Sequence, residues 1–136
     1  MSTAQGPKKT ILVVDDEKHI VTYLETLLRD NGYDTIAAFN GKTALEEARS
    51  RKPDLVTLDI TMPKTSGVRF YRELKEDPNL ASTPVVIVTA VTGYAGDPEE
   101  FKKFISTRKQ VPPPEGYVAK PIDKQELLDT IKRLLT

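Results

Sequence analysis

Two runs, Thr10-Ile11-Leu12-Val13-Val14 and Pro84-Val85-Val86-Ile87-Val88, are apolar, largely β-branched and free of alternation. A strand with one wet face alternates polar with apolar residues. A run without alternation is buried on both faces, as in a parallel sheet covered by helices above and below. Asp54-Leu55-Val56-Thr57-Leu58 reads the same way, and short strands are expected near Thr35 to Ala38 and Tyr117 to Ala119. Between the runs the apolar residues take up helical spacing: Ile20, Leu24, Leu27 and Leu28; then Ala44, Leu45 and Ala48; then Val68, Tyr71 and Leu74; and last Leu127, Leu128, Ile131 and Leu134. Asn31-Gly32 follows the first helix as a stop signal, and Asp123 with Glu126 forms a start signal for the last. Asp97-Pro98-Glu99-Glu100 opens a further helix carrying Phe101, Phe104 and Ile105. Strand and helix alternate, so right-handed crossovers give a doubly wound α/β sheet with helices on both faces and ligand chemistry at the carboxyl ends of the strands.

The 136 residues fit one domain: residues 10–136 fold, and residues 1–9, small and polar, read as a flexible tail. Lys plus Arg equals Asp plus Glu at 20 each, so no overall positive field draws nucleic acid or an anionic membrane. No apolar run approaches the roughly 20 residues needed to cross a bilayer, and no signal-peptide core is present. The absence of Cys removes disulfides, thiolate catalysis and Cys-type zinc sites, and a cytoplasmic setting is expected. The segment Lys109 to Gly116, with Pro112-Pro113-Pro114 inside it, is expected to be a stiff surface connector.

The chemistry concentrates at strand ends. The first strand runs into Asp15 and Asp16 and the third into Asp59. With the first and third strands adjacent, these carboxylates meet at one sheet edge. Two carboxylates about 4 Å apart repel by roughly 4 kcal/mol at an effective dielectric near 20. A hard divalent cation relieves that repulsion, and carboxylate oxygens with water are the ligands Mg²⁺ prefers. Alone, Asp15-Asp16 is better explained as a loop and helix cap. The fourth strand, however, ends in Thr89-Ala90 and the fifth in Lys120-Pro121, bringing a hydroxyl and an ammonium to the same edge. Carboxylates, a cation site, a hydroxyl donor and a lysine are the parts of a phosphoryl-transfer site.

The ordered set Val13-Val14-Asp15-Asp16, Leu58-Asp59-Ile60-Thr61-Met62-Pro63 with Gly67, Thr89-Ala90, and Tyr117-Val118-Ala119-Lys120-Pro121 resembles the receiver domains of two-component response regulators. The resemblance runs from Thr10 through the last helix and implies a five-stranded, flavodoxin-like sheet in the order 2-1-3-4-5. It implies that Asp59 is the phosphoacceptor for a sensor histidine kinase or histidine phosphotransfer protein. Asp16 and Asp59 would contact Mg²⁺ (or Mn²⁺) by side chain, Asp15 chiefly through water, and Thr61 through its backbone carbonyl. Lys120 would pair with the phosphoryl oxygens, and the Lys120-Pro121 peptide would be cis. Thr89 would move to the phosphoryl group, letting Tyr117 rotate inward and change the surface of the fourth helix, fifth strand and fifth helix. That surface would serve an output partner or a homodimer, with no enzymatic activity beyond self-phosphorylation and self-dephosphorylation.

The triple proline departs from the shorter turn usual in the family. Thr61 and Val91 stand where the family tunes hydrolysis, and because Val91 cannot orient a water, slow self-dephosphorylation is expected. Gly41-Lys42-Thr43 resembles the end of a P-loop, but Ile36 stands where that motif needs glycine, so a turn and helix start is expected instead. His19 is the only histidine and excludes multi-histidine sites within one chain; it is expected on the first helix near the mouth of the site. Two rivals remain open at this point. An aspartate-based phosphatase would need a second Asp where Thr61 stands, and a receiver-like binding module would act without phosphorylation.

Overall fold

The computed structural model describes residues 8–59, 66–90 and 114–136. Five parallel strands lie in the order 2-1-3-4-5: β1 (Thr10–Val14), β2 (Asp34–Ala38), β3 (Leu55–Leu58), β4 (Val85–Ala90) and β5 (Gly116–Lys120). The helices are α1 (Lys18–Asp30), α2 (Gly41–Arg51), α3 (Ser66–Glu76) and α4 (Lys124–Leu135). The helix expected around Phe101 to Ile105 lies outside the described residues, so α4 is the fifth helix of the sequence reading. No described helix is long and apolar enough to cross a membrane.

Absence of alternation in the strands has the expected cause. Leu12, Val14, Val56, Leu58, Val85 and Ile87 pack on one face beneath Ala44, Leu45 and Ala48 of α2 and Phe70, Tyr71 and Leu74 of α3. Ile11, Val13, Leu55, Val86, Val88 and Val118 pack on the other, beneath Val21, Leu24 and Leu28 of α1 and Leu127 and Ile131 of α4. Each such side chain withdrawn from water contributes roughly 1.5–3 kcal/mol before entropy is counted. Ile20, Leu27, Leu128 and Leu134, expected on the apolar stripes, border the second core and are only partly buried.

The local signals act as their chemistry requires. Gly32 follows the α1 cap Asn31 at φ +92, a conformation that a side chain would strain. The Asn40 side chain accepts the Thr43 N–H at 2.8 Å, so Gly41-Lys42-Thr43 is indeed a capped helix start. Asp123 accepts the Glu126 N–H at 3.0 Å and caps α4. The connector before β5 departs from expectation at its carboxyl end: Pro114 is buried, and Gly116 already belongs to the strand. Pro112 and Pro113 lie outside the described residues.

Candidate functional site

Strand register sets the geometry. Ala38, Val14, Leu58, Ile87 and Tyr117 form one row across the sheet. Asp15 and Asp59 each stand one residue beyond that row, at the carboxyl edge. The Asp15 N–H donates to the Ala38 carbonyl at 3.2 Å and the Asp59 N–H to the Val14 carbonyl at 3.0 Å, so the ladder continues far enough to fix both backbones. Beyond that point the chain turns. The Asp15 carboxylate accepts the Glu17 N–H at 3.0 Å, a local Asx-type bond that bends β1 toward α1.

The carboxylates of Asp15, Asp16 and Asp59 each place an oxygen within 4.8 Å of the others. Asp15 is 1% and Asp59 2% exposed, whereas Asp16 is open to solvent. Gathering three carboxylates at a dry sheet edge is costly by Coulomb repulsion. An all-oxygen donor set with one open side fits a hard divalent cation that keeps part of its water shell. The acidic residues proposed from the sequence are therefore brought together.

The other expected site residues are placed to different degrees. Thr89 pairs in register with Ala119 and Ala90 with Lys120, so the backbones of Thr89 and Lys120 reach the same edge. Thr61 and Val91 lie outside the described residues. Tyr117 is half-buried against the core beneath α2 and α3. His19 is 75% exposed, with Nε2 3.9 Å from the Glu17 carboxylate, and contributes nothing to the acidic cluster.

Two residues that sequence reasoning passed over stand out. Lys75 is buried on α3 and pairs with Glu115 at 3.0 Å. The signal was present: Lys75 follows Tyr71 by four residues, so it shares the face of an apolar residue. Its partner is 40 positions away, which no local pattern reveals.

Residues 11–132 match the family described as the response regulator receiver domain. The chain is 34% identical over 127 residues to the polar-differentiation response regulator DivK of Brucella anthropi, covering 93% of this chain and 96% of DivK. It is 35% identical over 127 residues to the alkaline phosphatase synthesis transcriptional regulatory protein PhoP of Bacillus subtilis, of which it spans only 48%. The chemotaxis response regulator CheY4 of Vibrio cholerae superimposes with a TM-score of 0.79 at 26% identity, over 95% of this chain and 100% of that one. With the 2-1-3-4-5 sheet and the acidic cluster at its carboxyl edge, these matches establish that the chain belongs to the receiver-domain family of two-component response regulators.

Proposed function

We propose that Asp59 accepts a phosphoryl group from the phosphohistidine of a sensor histidine kinase or histidine phosphotransfer protein, in the presence of Mg²⁺ or Mn²⁺. The observation that supports this most strongly is the meeting of Asp15, Asp16 and Asp59 within 4.8 Å at the carboxyl edge of the sheet. In the transfer, an Asp59 carboxylate oxygen forms a bond to phosphorus while the bond from phosphorus to the donor's imidazole nitrogen breaks, its electron pair remaining on the ring. A divalent cation held by Asp15, Asp16, Asp59 and the Thr61 carbonyl would neutralise charge on the carboxylates and the incoming phosphoryl oxygens. Lys120 would pair with those oxygens, and the Thr89 hydroxyl would donate to them as Tyr117 settles beneath. The added charge of roughly −1.5 to −2 would be read as a packing change on the surface of β5 and α4. That surface would then meet an output partner or a second copy of the chain. A cytoplasmic setting suits this role, and no turnover of an external substrate is proposed.

Intact mass after incubation with acetyl phosphate and Mg²⁺ tests the assignment. Wild type is expected to gain one phosphoryl group, and both Asp59→Ala and the chelated wild type are expected to gain none. Absence of any gain, also with a phosphohistidine donor, overturns it. Followed over time, the adduct is expected to decay slowly because of Val91; a lifetime of only seconds contradicts that part.

A further inference from the structure

On α3, a charge occupies a place that the helical stripe assigns to an apolar side chain. The Lys75 side chain is 0% exposed. Its ammonium donates to the Thr83 carbonyl at 3.0 Å, to the Ala81 carbonyl at 3.4 Å, and to the two Glu115 oxygens at 3.2 and 3.0 Å. Glu115 takes hold of Val85 twice: a carboxylate oxygen accepts the Val85 N–H at 2.8 Å, and the Glu115 N–H donates to the Val85 carbonyl at 3.1 Å. The Tyr71 ring lies against the ammonium, 5.8 Å from nitrogen to centroid. Burial raises the Tyr71 phenol pKa, and the neighbouring Glu115 and Tyr117 raise it further, so it stays neutral within this group.

These contacts sit where β5 begins. The ladder between β4 and β5 opens at Val86 with Gly116, so Glu115 is the residue that leads the chain into it. Tyr117 follows two residues later and, by strand period, shares the Glu115 face. It packs against the core cluster to which Tyr71 and Ile87 belong, and its hydroxyl is buried. An ion pair with only one partner buried is weak evidence for stability, since desolvation of the ammonium offsets its attraction to a carboxylate that is a third exposed. What it does supply is a fixed position, here for three segments at once: α3, the start of β4 and the start of β5.

We propose that the Lys75–Glu115 pair is a positioning device that clamps the entry of β5 and holds Tyr117 inward, biasing the chain toward the arrangement that receives the phosphoryl group. The bias rests on Tyr117 being the switch residue of the proposed function. By reciprocity of linkage, whatever favours inward Tyr117 also favours the phosphoryl group, and the reverse.

The test uses the full chain with 3-fluorotyrosine at position 117, read by fluorine NMR, and beryllofluoride with Mg²⁺ as the phosphoryl mimic. Lys75→Met and Glu115→Gln are compared with Ile131→Val, a variant of the opposite core layer destabilised without touching the clamp. Lys75→Met and Glu115→Gln are expected to move the Tyr117 resonance toward that of exposed fluorotyrosine and to weaken beryllofluoride binding about fivefold. Ile131→Val is expected to move neither. An unchanged resonance in folded Lys75→Met and Glu115→Gln, or an equal shift in Ile131→Val, overturns the proposal. If wild type binds no beryllofluoride, the phosphoacceptor assignment fails, while the resonance in the unliganded protein still decides whether the clamp places Tyr117.

Discussion

Thr57 is a polar side chain in the middle of a strand buried on both faces, 1% exposed between Val13 and Val86 in register. Its hydroxyl has no hydrogen-bond partner among the described residues. Leaving a hydroxyl dry and unpaired costs free energy, whereas the branched shape itself suits a strand. Thr57→Val keeps that shape and removes the unpaired group, so it is expected to stabilise the fold by about 1 kcal/mol. Urea unfolding checks this: the midpoint should rise at an unchanged slope, and a lower midpoint would show that the hydroxyl contributes favourably. The asymmetry with Asp15 and Asp59 is instructive. Their placement was legible because each interrupts an apolar run at its carboxyl end. Thr57 lies inside such a run, where threonine is an ordinary strand former and nothing in the sequence says that its oxygen lacks a partner.

Among the elements, the entry of β5 carries the tightest constraint. A Cβ added to Gly116 would meet Thr130 Cγ2 at 3.0 Å, Val86 Cγ2 at 3.5 Å and Leu134 Cδ1 at 3.7 Å, two of these three neighbours belonging to α4. Gly116 therefore allows α4 to approach the strand closely. Gly116→Ala is expected to push α4 outward and to cost about 1–3 kcal/mol, visible as a lower melting temperature. Compensation by Thr130→Ser, which removes the nearest methyl, would identify the contact responsible. Pro112 and Pro113, on which the expected stiffness of the connector rests, lie outside the described residues, and where the connector ends was not readable from composition. Pro114 and Gly116 are buried, and Glu115 is held by α3 and β4, because the segment is enclosed by elements distant in sequence. By contrast, the helix start at Gly41-Lys42-Thr43 and the cap at Asp123 were readable from local spacing, since a cap is satisfied within a single turn, whereas the structure identified Asn40 as the capping residue of α2.

For the molecule as a whole, the strand order places the ends of β1 and β3 side by side and so creates the crowded acidic edge. The fold holds that repulsion in the absence of a cation, and a cation bound there would relieve it. Asp59→Asn removes one of the three charges without changing shape. In chelator it is expected to be more stable than wild type by about 1–2 kcal/mol, which is less than the full pairwise repulsion because Asp16 is open to water. Added Mg²⁺ should raise the melting temperature of wild type and leave the variant nearly unchanged. Equal responses of the two proteins to Mg²⁺ would argue that Asp59 is not among the ligands.

The sequence by itself determined the alternation of strand and helix, the two-sided burial of β1, β3 and β4, the start of α2 and the cap of α4. All of these follow from periodicity and from hydrogen bonds closed within a few residues. It also placed Asp15, Asp16 and Asp59 at strand ends, and the strand order then brought them together. Only the tertiary structure decided that Lys75 is buried and held by a glutamate 40 residues away, that Thr57 has no partner among the described residues, and that Tyr117 is half-buried against the core with its hydroxyl covered. Burial of a polar group depends on what packs over it, and here the packing comes from segments that chain order does not bring near.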